Sequence, residues 1–556
     1  MHQTDANDAQ TAEHGSWLKD VTLLTLIAGC IYGFFLSLRP LGIPDVSYYA
    51  DLAVGMLKAK TWVTPYLNGV KDLSQPPLFQ WLQIISIKLF GLKPWALRLW
   101  PTIFAVLGVI TNYTAARLLL NRRAGLIAAS VTGTAVFYIL GAQAIGPFTA
   151  ANWLLAMSLL SFFGMIGNEQ HRKFFSCLFW VFTGLSFMMV GLAGFVLPIL
   201  TALIWILAIR GWLTFKFLAN PLGIVLFLLI TVPWLVCAGK ANPHFYHYFF
   251  IEANWQAFWT HLSHFHLDWW VVLFAFIGLL PWAVFVLPGV WYSMPKDWDN
   301  YFESLPDLYF LLWLLVVLFY VLISPMNHLY FTLILFTPAS LIVTRYLSSA
   351  WIIAGAPYFK VSNDLLFMTV FIIVCILAAF TATNFFAVPD DLKIYLWVLE
   401  ACLLGFACII YPLFYWRKIK LGFVLVSIFS LIIGLILTVA LPVLDKDAPA
   451  ALMNQVNKIR HKDDVIVSYN GFLPDLALQY SGPIITVNWH NPPAYGKQYQ
   501  NTQAWVVSDN TFWPIMNSHQ HRFFIFANKT ELQSLIREHQ LKLVIAGNNT
   551  VVLSND

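Results

Sequence analysis

Long apolar runs recur along this chain from Val21 to near Leu441, and they limit its possible folds more than any other feature. Each run has about 18 or more apolar residues, which is the length that a helix needs to cross about 30 Å of hydrocarbon. The composition agrees, because 59% of the 556 residues are hydrophobic and only 11% are charged. In a soluble domain about 25% of residues are charged. The sequence therefore predicts a polytopic α-helical membrane protein.

A hydropathy window over these runs finds about 13 transmembrane helices. The run at 175–210 is long enough for two spans joined by a tight turn near Gly191 and Gly194. We see no paired interruptions of the kind that transporters use, so we expect continuous spans. The predicted spans lie near 19–38, 97–119, 124–141, 148–166, 175–190, 192–210, 220–239, 270–291, 307–323, 329–347, 365–384, 394–416 and 421–441.

Lysine and arginine concentrate in alternate short loops, and cytoplasmic loops are the ones that carry such an excess. Thirteen spans then place the 42–77 loop, the 240–268 loop and the tail after Leu441 on the side opposite to the cytoplasm. The first 16 residues lack the basic region and cleavage site of a signal peptide, so we expect the first span to be retained. The basic positions are Arg117, Arg122, Arg123, Arg172, Lys173, Arg210, Lys216, Lys296, Arg345, Lys360, Arg417, Lys418 and Lys420.

The tail at 442–556 is predicted to be a small α/β domain that follows a transmembrane domain at 1–441. Charge returns in the tail, and its apolar runs shorten to the length of strands. It contains no phosphate-binding glycine loop and no nucleophile elbow, so we expect a lid or docking module. The predicted strands lie at 464–469, 483–487, 504–508, 523–526, 543–546 and 551–553, and the predicted helices at 448–460 and 530–540.

The positions of the cysteines and the charge pattern argue against disulfides, a metal cluster and a nucleic acid partner. The six cysteines lie in or at the edge of apolar spans, which is typical of small core residues rather than of disulfides or a metal cluster. The net charge of +5 reflects the basic loops. No basic face interleaved with exposed aromatic residues appears outside the spans, so we expect no nucleic acid partner.

The polar loop after the first span contains the first candidate functional residue, Asp45. Charge is costly near lipid, so a carboxylate at the mouth of a membrane bundle indicates a functional site, although a solvated loop acid is the simpler alternative. Two interfacial helices are predicted in the 42–90 region, at 46–58 and at 78–90, where Pro76-Pro77 starts the second. In the first helix, Asp51 is expected on the polar, solvent-facing side. Such helices would frame a cavity for a substrate with a lipid tail and a polar head.

Ordered motifs along nearly the whole chain resemble bacterial GT-C glycosyltransferases. The pattern is most similar to the aminoarabinose transferases of lipid A and to the wider protein-mannosyltransferase-like group. The motifs are Pro44-Asp45-Val-Ser-Tyr-Tyr49-Ala-Asp51, Trp62 to Gly69, Gln75-Pro76-Pro77 with Trp81, Trp95-Ala-Leu-Arg98, Asn121-Arg-Arg-Ala-Gly, Gly146-Pro147-Phe-Thr, Tyr248-Phe-Phe-Ile-Glu252, Leu280-Pro281-Trp282, Arg345-Tyr346-Leu347, Ser468-Tyr469 and Leu473-Pro474.

The resemblance implies transfer of a sugar from a polyprenyl phosphate donor to a lipid or other envelope acceptor at the outer face of the inner membrane. It implies that Asp45 is the catalytic residue that activates the acceptor, a role that a carboxylate can perform as a general base. Because the lipid donor supplies the leaving group, no cofactor is expected. The residues implied to bind substrate are Tyr48, Tyr49, Asp51, Gln75, Arg98 and Glu252.

Several positions depart from the family pattern, and most departures remove charge. Val46 replaces an acid, Tyr48 replaces an arginine, and Ser74-Gln75 replaces Glu-Lys. Cations at two of these positions would stabilise the charge that develops on the leaving phosphate. A second expected acid is replaced by Ala150-Ala151-Asn152, and a histidine is replaced by Ala253. Since that histidine and the acid lost at Ser74 would be metal ligands, no metal is assigned.

Two functional hypotheses therefore stay open, with a third that the runs disfavour. The first is an active transferase of a diverged branch that uses Asp45, with Asp51 or Glu252 in support. The second is a non-catalytic GT-C relative that binds a lipid-linked saccharide or a partner protein through the same cavity. A transporter is the weakest hypothesis, because it would predict charged residues and broken paired helices within the spans.

Five histidines concentrate in the 240–268 segment, interleaved with tryptophan and phenylalanine. The group His261, His264 and His266 has a spacing that could hold a divalent metal. Aromatic residues also form belts at membrane interfaces, with histidines as polar tips, and the sequence favours this second interpretation. The remaining two histidines are His244 and His247.

Overall fold

The structure is a computed structural model of this chain. It describes residues 2–34, 36, 44–208, 212–263, 269–295, 305–324, 329–352, 357–382, 390–444, 449–461, 463–480, 482, 484–518, 521–547 and 549–555.

A bundle of apolar helices forms most of the described chain and confirms the predicted class of polytopic helical membrane protein. Within the described ranges, nine helices are long and apolar enough to cross a membrane, or up to eleven when each of two bent pairs counts as one span. The predicted number of thirteen is thus not confirmed. The segment predicted as a span at 192–210 is a helix of 17 residues, which is short for a full crossing.

The elements of the first part run in chain order from the N-terminal helix to a helix that ends near residue 444. They are α1 (His2–Gly33), α2 (Pro44–Lys58), β1 (Tyr66–Leu67), β2 (Val70–Lys71), α3 (Leu78–Phe90), α4 (Pro94–Leu119), α5 (Arg122–Thr134), α6 (Val136–Ala142), α7 (Phe148–Gly167), α8 (Arg172–Val190), α9 (Leu192–Ala208), α10 (Trp212–Leu218), α11 (Pro221–Ala241), a π-helix (His247–Gln256), α12 (Ala257–Ser263), α13 (Trp269–Leu279), a 3₁₀ turn (Trp282–Phe285), α14 (Val286–Ser293), α15 (Leu305–Ile323), a 3₁₀ helix (Leu329–Leu335), α16 (Phe336–Ile352), α17 (Pro357–Ala382), α18 (Asp390–Tyr415) and α19 (Ile419–Leu444).

Two of the predicted spans are bent, so the expectation of continuous spans is wrong at these places. Helices α5 and α6 meet at 67°, and α13 meets the 282–293 segment at 104°. At the first bend Ala135 has φ −58° and ψ 129°, an extended conformation that cannot continue a helix. At the second bend Pro281 lacks the amide proton that a helix needs for its hydrogen bond.

Both predicted helices of the first loop are present. Helix α2 buries Tyr49, Leu52 and Met56, which lie at helical spacing. Helix α3 begins directly after Pro76-Pro77, and it ends at Gly91, whose φ is +80° and whose N–H donates to the carbonyl oxygen of Ile87 at 2.9 Å. A two-stranded hairpin, β1 with β2, connects the two helices. Proline at the start and glycine at the end are thus the residues that define α3.

The C-terminal part is a six-stranded mixed sheet with helices on its faces. From one edge to the other the strands are β5 (Val506–Val507), β4 (Ile485–Val487), β3 (Val465–Tyr469), β6 (Phe523–Asn528), β8 (Thr550–Ser554) and β7 (Lys542–Ala546). Strands β5, β4, β3 and β6 pair in parallel, whereas β8 pairs antiparallel with both of its neighbours, β6 and β7. All six predicted strands and both predicted helices are present. The elements are α20 (Pro449–Ile459), β3 (Val465–Tyr469), α21 (Pro474–Gln479), β4 (Ile485–Val487), α22 (Ala494–Tyr499), β5 (Val506–Val507), α23 (Asp509–Met516), β6 (Phe523–Asn528), a 3₁₀ turn (Lys529–Glu531), α24 (Leu532–His539), β7 (Lys542–Ala546) and β8 (Thr550–Ser554).

Alternate residues of the central strands fill two separate cores, one on each face of the sheet. Val467, Ile525 and Leu553 belong to one core, whereas Ile466 and Phe524 belong to the other. This alternation follows from the two-residue repeat of a β-strand. Helices on both faces cover the apolar side chains, which explains why the strands are nearly continuous apolar runs.

The first loop, the segment after α11 and the C-terminal sheet meet at one end of the bundle. The Nδ2 of Asn68 donates to the carbonyl oxygen of Ile484 at 3.0 Å, and the hydroxyl of Tyr495 donates to the carbonyl oxygen of Pro243 at 2.6 Å. The approach is close, because a Cβ at Gly496 would lie 2.3 Å from Val70 Cγ1. The three segments that were predicted to share one side of the membrane therefore form one assembly.

Candidate active site between the first loop and the C-terminal domain

Asp45 belongs to the first turn of α2, and its side chain lies outside the described residues. Its neighbourhood is nevertheless defined by Ser47, whose hydroxyl donates to the carboxylate of Asp475 in α21. Both side chains are buried. The C-terminal domain therefore reaches the start of α2, where the predicted catalytic residue stands. Asp475 was not predicted as a site residue, although it directly follows the Leu473-Pro474 motif.

Tyr48 and Asp72 form a hydrogen-bonded pair at the centre of the first loop. The Tyr48 hydroxyl donates to Oδ2 of Asp72, and Oδ1 of Asp72 accepts from the backbone N–H of Ser74 at 3.0 Å. Burial, followed by the neighbouring Asp72 carboxylate, raises the pKa of the Tyr48 phenol well above its ordinary value. The phenol therefore stays protonated and donates. Asp72 was not predicted as a site residue, because its only sequence signal is an acid shortly before the Pro-Pro pair.

A second carboxylate, Glu252, lies on the π-helix after α11. Its Oε1 accepts from the hydroxyl of Tyr499 at 3.1 Å and lies 3.4 Å from Nδ1 of His247. Tyr248, which the sequence motif contained but did not single out, is buried. Burial first, and then the charges of Asp72 and Glu252, raise the pKa of its phenol. Both the Asp72 partner of Tyr48 and the predicted residue Glu252 therefore act electrostatically on the same tyrosine.

The other predicted binding residues have different structural roles. Tyr49 is buried and packs edge-on against Phe79 and Phe148, each with ring centroids 5.7 Å apart. Gln75 is half-buried and directly precedes Pro76-Pro77 at the start of α3. Arg98 is fully buried in α4, and its Nη1 donates to the carbonyl oxygen of Leu36 at 3.0 Å. Arg98 thus ties α4 to the segment that follows α1.

The expectation that Asp51 lies on a solvent-facing side of α2 is wrong. Its side chain is only 2% exposed, because the β1–β2 hairpin and the C-terminal domain cover this side of the helix. Oδ2 of Asp51 accepts from the backbone N–H of Asn68 at 3.0 Å. Burial raises the pKa of Asp51 to about 7, and the Asn68 hydrogen bond and the Lys58 charge offset part of that effect.

The histidine-rich segment does not define a metal centre in the described residues. His264 and His266 lie outside them. Within the described ranges, no group of three or more histidine, cysteine, aspartate or glutamate side chains could hold a metal ion. His244 instead stacks on Tyr499 with ring centroids 5.2 Å apart, next to the Glu252 cluster.

Carboxylates and phenols therefore dominate the candidate site, with Asp72 buried and Glu252 half-buried. Asp72 and Glu252 can accept hydrogen bonds or protons, and the tyrosines can donate neutral hydrogen bonds. In a dry site such groups act more strongly on a polar substrate than they would in water. The arrangement suits a substrate rich in hydroxyl groups, and it lacks the arginine and lysine that the family pattern places at 48 and 75.

The fold of this chain is the GT-C fold. The solved structure of ArnT from Cupriavidus metallidurans bound to undecaprenyl phosphate superposes with a TM-score of 0.81 and 18% sequence identity, over 96% of this chain and 98% of that one. The family model for dolichyl-phosphate-mannose-protein mannosyltransferases matches residues 74–237.

Curated relatives identify the branch that the chain resembles, which is that of the undecaprenyl phosphate-alpha-4-amino-4-deoxy-L-arabinose arabinosyl transferases. The protein of this name from Erwinia tasmaniensis is 24% identical over 520 residues, or 90% of this chain and 91% of the relative. The one from Enterobacter sp. (strain 638) is 27% identical over 329 residues, or 58% of this chain and 59% of the relative. The predicted resemblance to the aminoarabinose transferases is thus confirmed.

Substitution of Asp51 by asparagine is expected to remove part of the pH dependence of stability. The pKa of this carboxyl rises from 3.8 to about 7 on folding, so its contribution is fully present below pH 3.8 and is lost as pH rises through 7. Within that window the linkage slope for one group is about 1.4 kcal/mol per pH unit. We therefore expect the melting temperature of Asp51→Asn, relative to that of the wild type, to be higher at pH 8 than at pH 5.

The control is Asp463→Asn, which makes the same chemical change at an exposed position. It should leave the difference between pH 5 and pH 8 as in the wild type. If the melting temperatures of Asp51→Asn and the wild type changed by the same amount between pH 5 and pH 8, the assigned burial of the Asp51 charge would be contradicted.

Proposed function

We propose that this protein is a glycosyltransferase that moves a sugar from a polyprenyl phosphate donor to a lipid or other envelope acceptor at the outer face of the inner membrane. One observation carries the proposal: relatives named for an undecaprenyl phosphate-linked sugar donor align over 90% of the chain. The shared fold supports it, since the ArnT structure that superposes over 96% of the chain is described as bound to undecaprenyl phosphate. Lipid A is the acceptor class that this resemblance favours.

In the proposed reaction Asp45 accepts the proton of the attacking acceptor group. The acceptor oxygen then forms a bond to the anomeric carbon of the sugar, while the bond from that carbon to the phosphate oxygen breaks. The electron pair leaves with the polyprenyl phosphate, so neither an oxidant nor a nucleotide is needed. A positioned general base contributes about 10² to 10⁴ in rate, which makes Asp45 the residue whose loss should be most visible.

Tyr48 is assigned to hold Asp72 rather than to bind the donor phosphate. A tyrosine hydroxyl has a single proton to donate, and that of Tyr48 goes to Asp72. The donor phosphate then needs other donors, and Gln75, Lys71 and Arg98 are the candidates from the same region of the chain. The sugar hydroxyls are assigned to Glu252 and the tyrosines around it.

We expect Asp45→Asn to abolish sugar transfer while folding and donor binding stay close to wild type. Asparagine keeps the size and hydrogen-bonding capacity of the side chain but cannot accept the proton, so the rate should fall by about 10² to 10⁴. The measurement is transfer from a radiolabelled undecaprenyl phosphate sugar to lipid A in proteoliposomes. Asp463→Asn, at an exposed position, serves as the matched control and should transfer at the wild-type rate.

A transfer rate of Asp45→Asn equal to that of the wild type would contradict the assignment of Asp45 as the catalytic base. Donor binding without transfer in the wild type would favour the alternative, a non-catalytic relative that binds a lipid-linked saccharide.

We further propose that the C-terminal domain is periplasmic, because it bonds to the first loop, and the candidate span α4 separates that loop from the basic residues Arg122 and Arg123. A cysteine at exposed Ser508, written Ser508→Cys, should react with an impermeant thiol reagent in intact spheroplasts. The matched control is Lys418→Cys in a basic loop, which should react only after lysis. Both are placed in a background without the six native cysteines. Protection of Ser508→Cys until lysis would reverse the proposed orientation.

A further inference from the structure

A cavity of about 420 Å³ lies between α2, the β1–β2 hairpin and the C-terminal domain. Its volume falls in the range of about 300–1,000 Å³ that is typical of small-molecule sites. It is distinct from the Tyr48–Asp72 cluster, since it opens along the part of α2 that follows Tyr48. Six residues of helix put Asp51 about 9 Å along the axis from Asp45. The lining includes Asp51, Lys58, Ala59, Asn68, Gly69 and Trp505.

Two polar groups in this lining have unused hydrogen-bonding capacity. The Nε1 of Trp505 is buried and has no acceptor among the described residues. Asp51 accepts from the Asn68 backbone at Oδ2, and because a carboxylate has about four acceptor sites it can accept further bonds from a ligand. Buried polar atoms in proteins nearly always have a partner, so the unpaired donor of Trp505 beside this carboxylate indicates a polar ligand.

The cavity lining also contains the aromatic ring of Trp505 and several small residues. The Trp505 ring packs against Gly69, where a Cβ would lie 3.4 Å from Cζ2 and where φ is +78°, a backbone conformation that favours glycine. Ala59 and Ala477 add small side chains to the lining, and Gly55 lets the Tyr66 backbone pack closely against α2. An aromatic face with a few polar groups around it is a common way to bind a small polar ring.

The charged residues in the lining indicate which class of ligand the cavity can bind. The cavity holds one acid, Asp51, and one cation, Lys58, whose Nζ lies 3.4 Å from the carbonyl oxygen of Tyr480 and donates to it. A phosphate or carboxylate ligand would meet the buried Asp51, and a hydrocarbon ligand would leave both polar groups unbonded. Sugar hydroxyls can both donate and accept. The pKa of Asp51, raised by burial to about 7, lets this carboxyl accept from or donate to a hydroxyl near neutral pH.

We propose that this cavity is a saccharide-binding site, in which a sugar ring packs on Trp505 and hydrogen-bonds to Asp51. The sugar comes either from the glycolipid acceptor or from a soluble saccharide, and both present the same hydroxyl chemistry. The glycolipid source rests on the proposed function, whereas binding itself does not.

The test uses the purified full-length protein in nanodiscs and a free glucosamine disaccharide as the probe. Saturation-transfer NMR should detect contact between the disaccharide and the wild-type protein. Trp505→Ala should bind about tenfold more weakly, because the loss of one stacked ring corresponds to about that change in affinity. The matched control is Trp416→Ala, which removes a 64% exposed tryptophan distant in sequence and should bind as the wild type does.

A second variant keeps the test decisive if Trp505→Ala does not fold. Ala59 is exposed directly after the end of α2, so Ala59→Trp should fill the mouth of the cavity without removing a core contact, and should also abolish binding. The proposal would be overturned if the wild-type protein did not bind the disaccharide. It would also be overturned if folded Trp505→Ala and folded Ala59→Trp both bound the disaccharide as tightly as the wild type. Binding of a phosphate or peptide in place of the disaccharide would overturn it as well.

Two further measurements separate the sources and separate this site from the transferase reaction. Competition by nanodiscs that contain lipid A would assign the sugar to the glycolipid acceptor, and disaccharide binding without such competition would assign it to a soluble saccharide. Asp45→Asn should still bind the disaccharide. Failure of transfer with intact saccharide binding would thus count against the proposed function and not against this site.

Discussion

The contact between α2 and the C-terminal domain is the interaction on which the arrangement of the site depends. Ser47 bonds to Asp475, and Asn68 bonds to Ile484 and to Oγ1 of Thr486 at 3.2 Å. These bonds are made between segments more than 400 residues apart in sequence. They remove water from one side of α2 and thereby turn Asp51, an acid on a short amphipathic helix, into a buried group. They also close the cavity beside Trp505.

Burial strengthens the interactions of the charged residues that remain in the site, because charges interact more strongly in a dry cavity than in water. An arginine at position 48 would form an ion pair with Asp72, and removing one partner of a buried pair leaves the other charge uncompensated. Tyr48 lowers this cost, since its phenol donates a hydrogen bond to the Asp72 carboxylate. The substitution at 48 and the presence of Asp72 are therefore consistent with each other. The consequence is a less positive environment for a leaving phosphate than the family pattern would give.

The parts of this fold that are encoded locally could be predicted from the sequence. Pro76-Pro77 and Gly91 define α3, and alternating apolar residues such as Ile466 and Val467 define strands of the sheet. The bend at Ala135 could not be predicted, because no proline or paired glycine marks it. The short helices α21, α22 and α23 have six to eight residues, too few for a helical pattern to be recognised. The catalytic candidate Asp45 came from a motif, whereas Asp72, Asp475 and the burial of Asp51 depend on contacts that only the folded chain makes.

Native mass spectrometry of the protein purified from bacterial membranes tests most directly whether the chain binds a polyprenyl phosphate donor. We expect a bound lipid with the mass of undecaprenyl phosphate or of its sugar conjugate, retained through gentle detergent exchange. The same lipid should remain bound to Asp45→Asn, because the donor site does not depend on the base. Recovery of bulk phospholipid alone, even after undecaprenyl phosphate has been added in excess, would contradict this expectation.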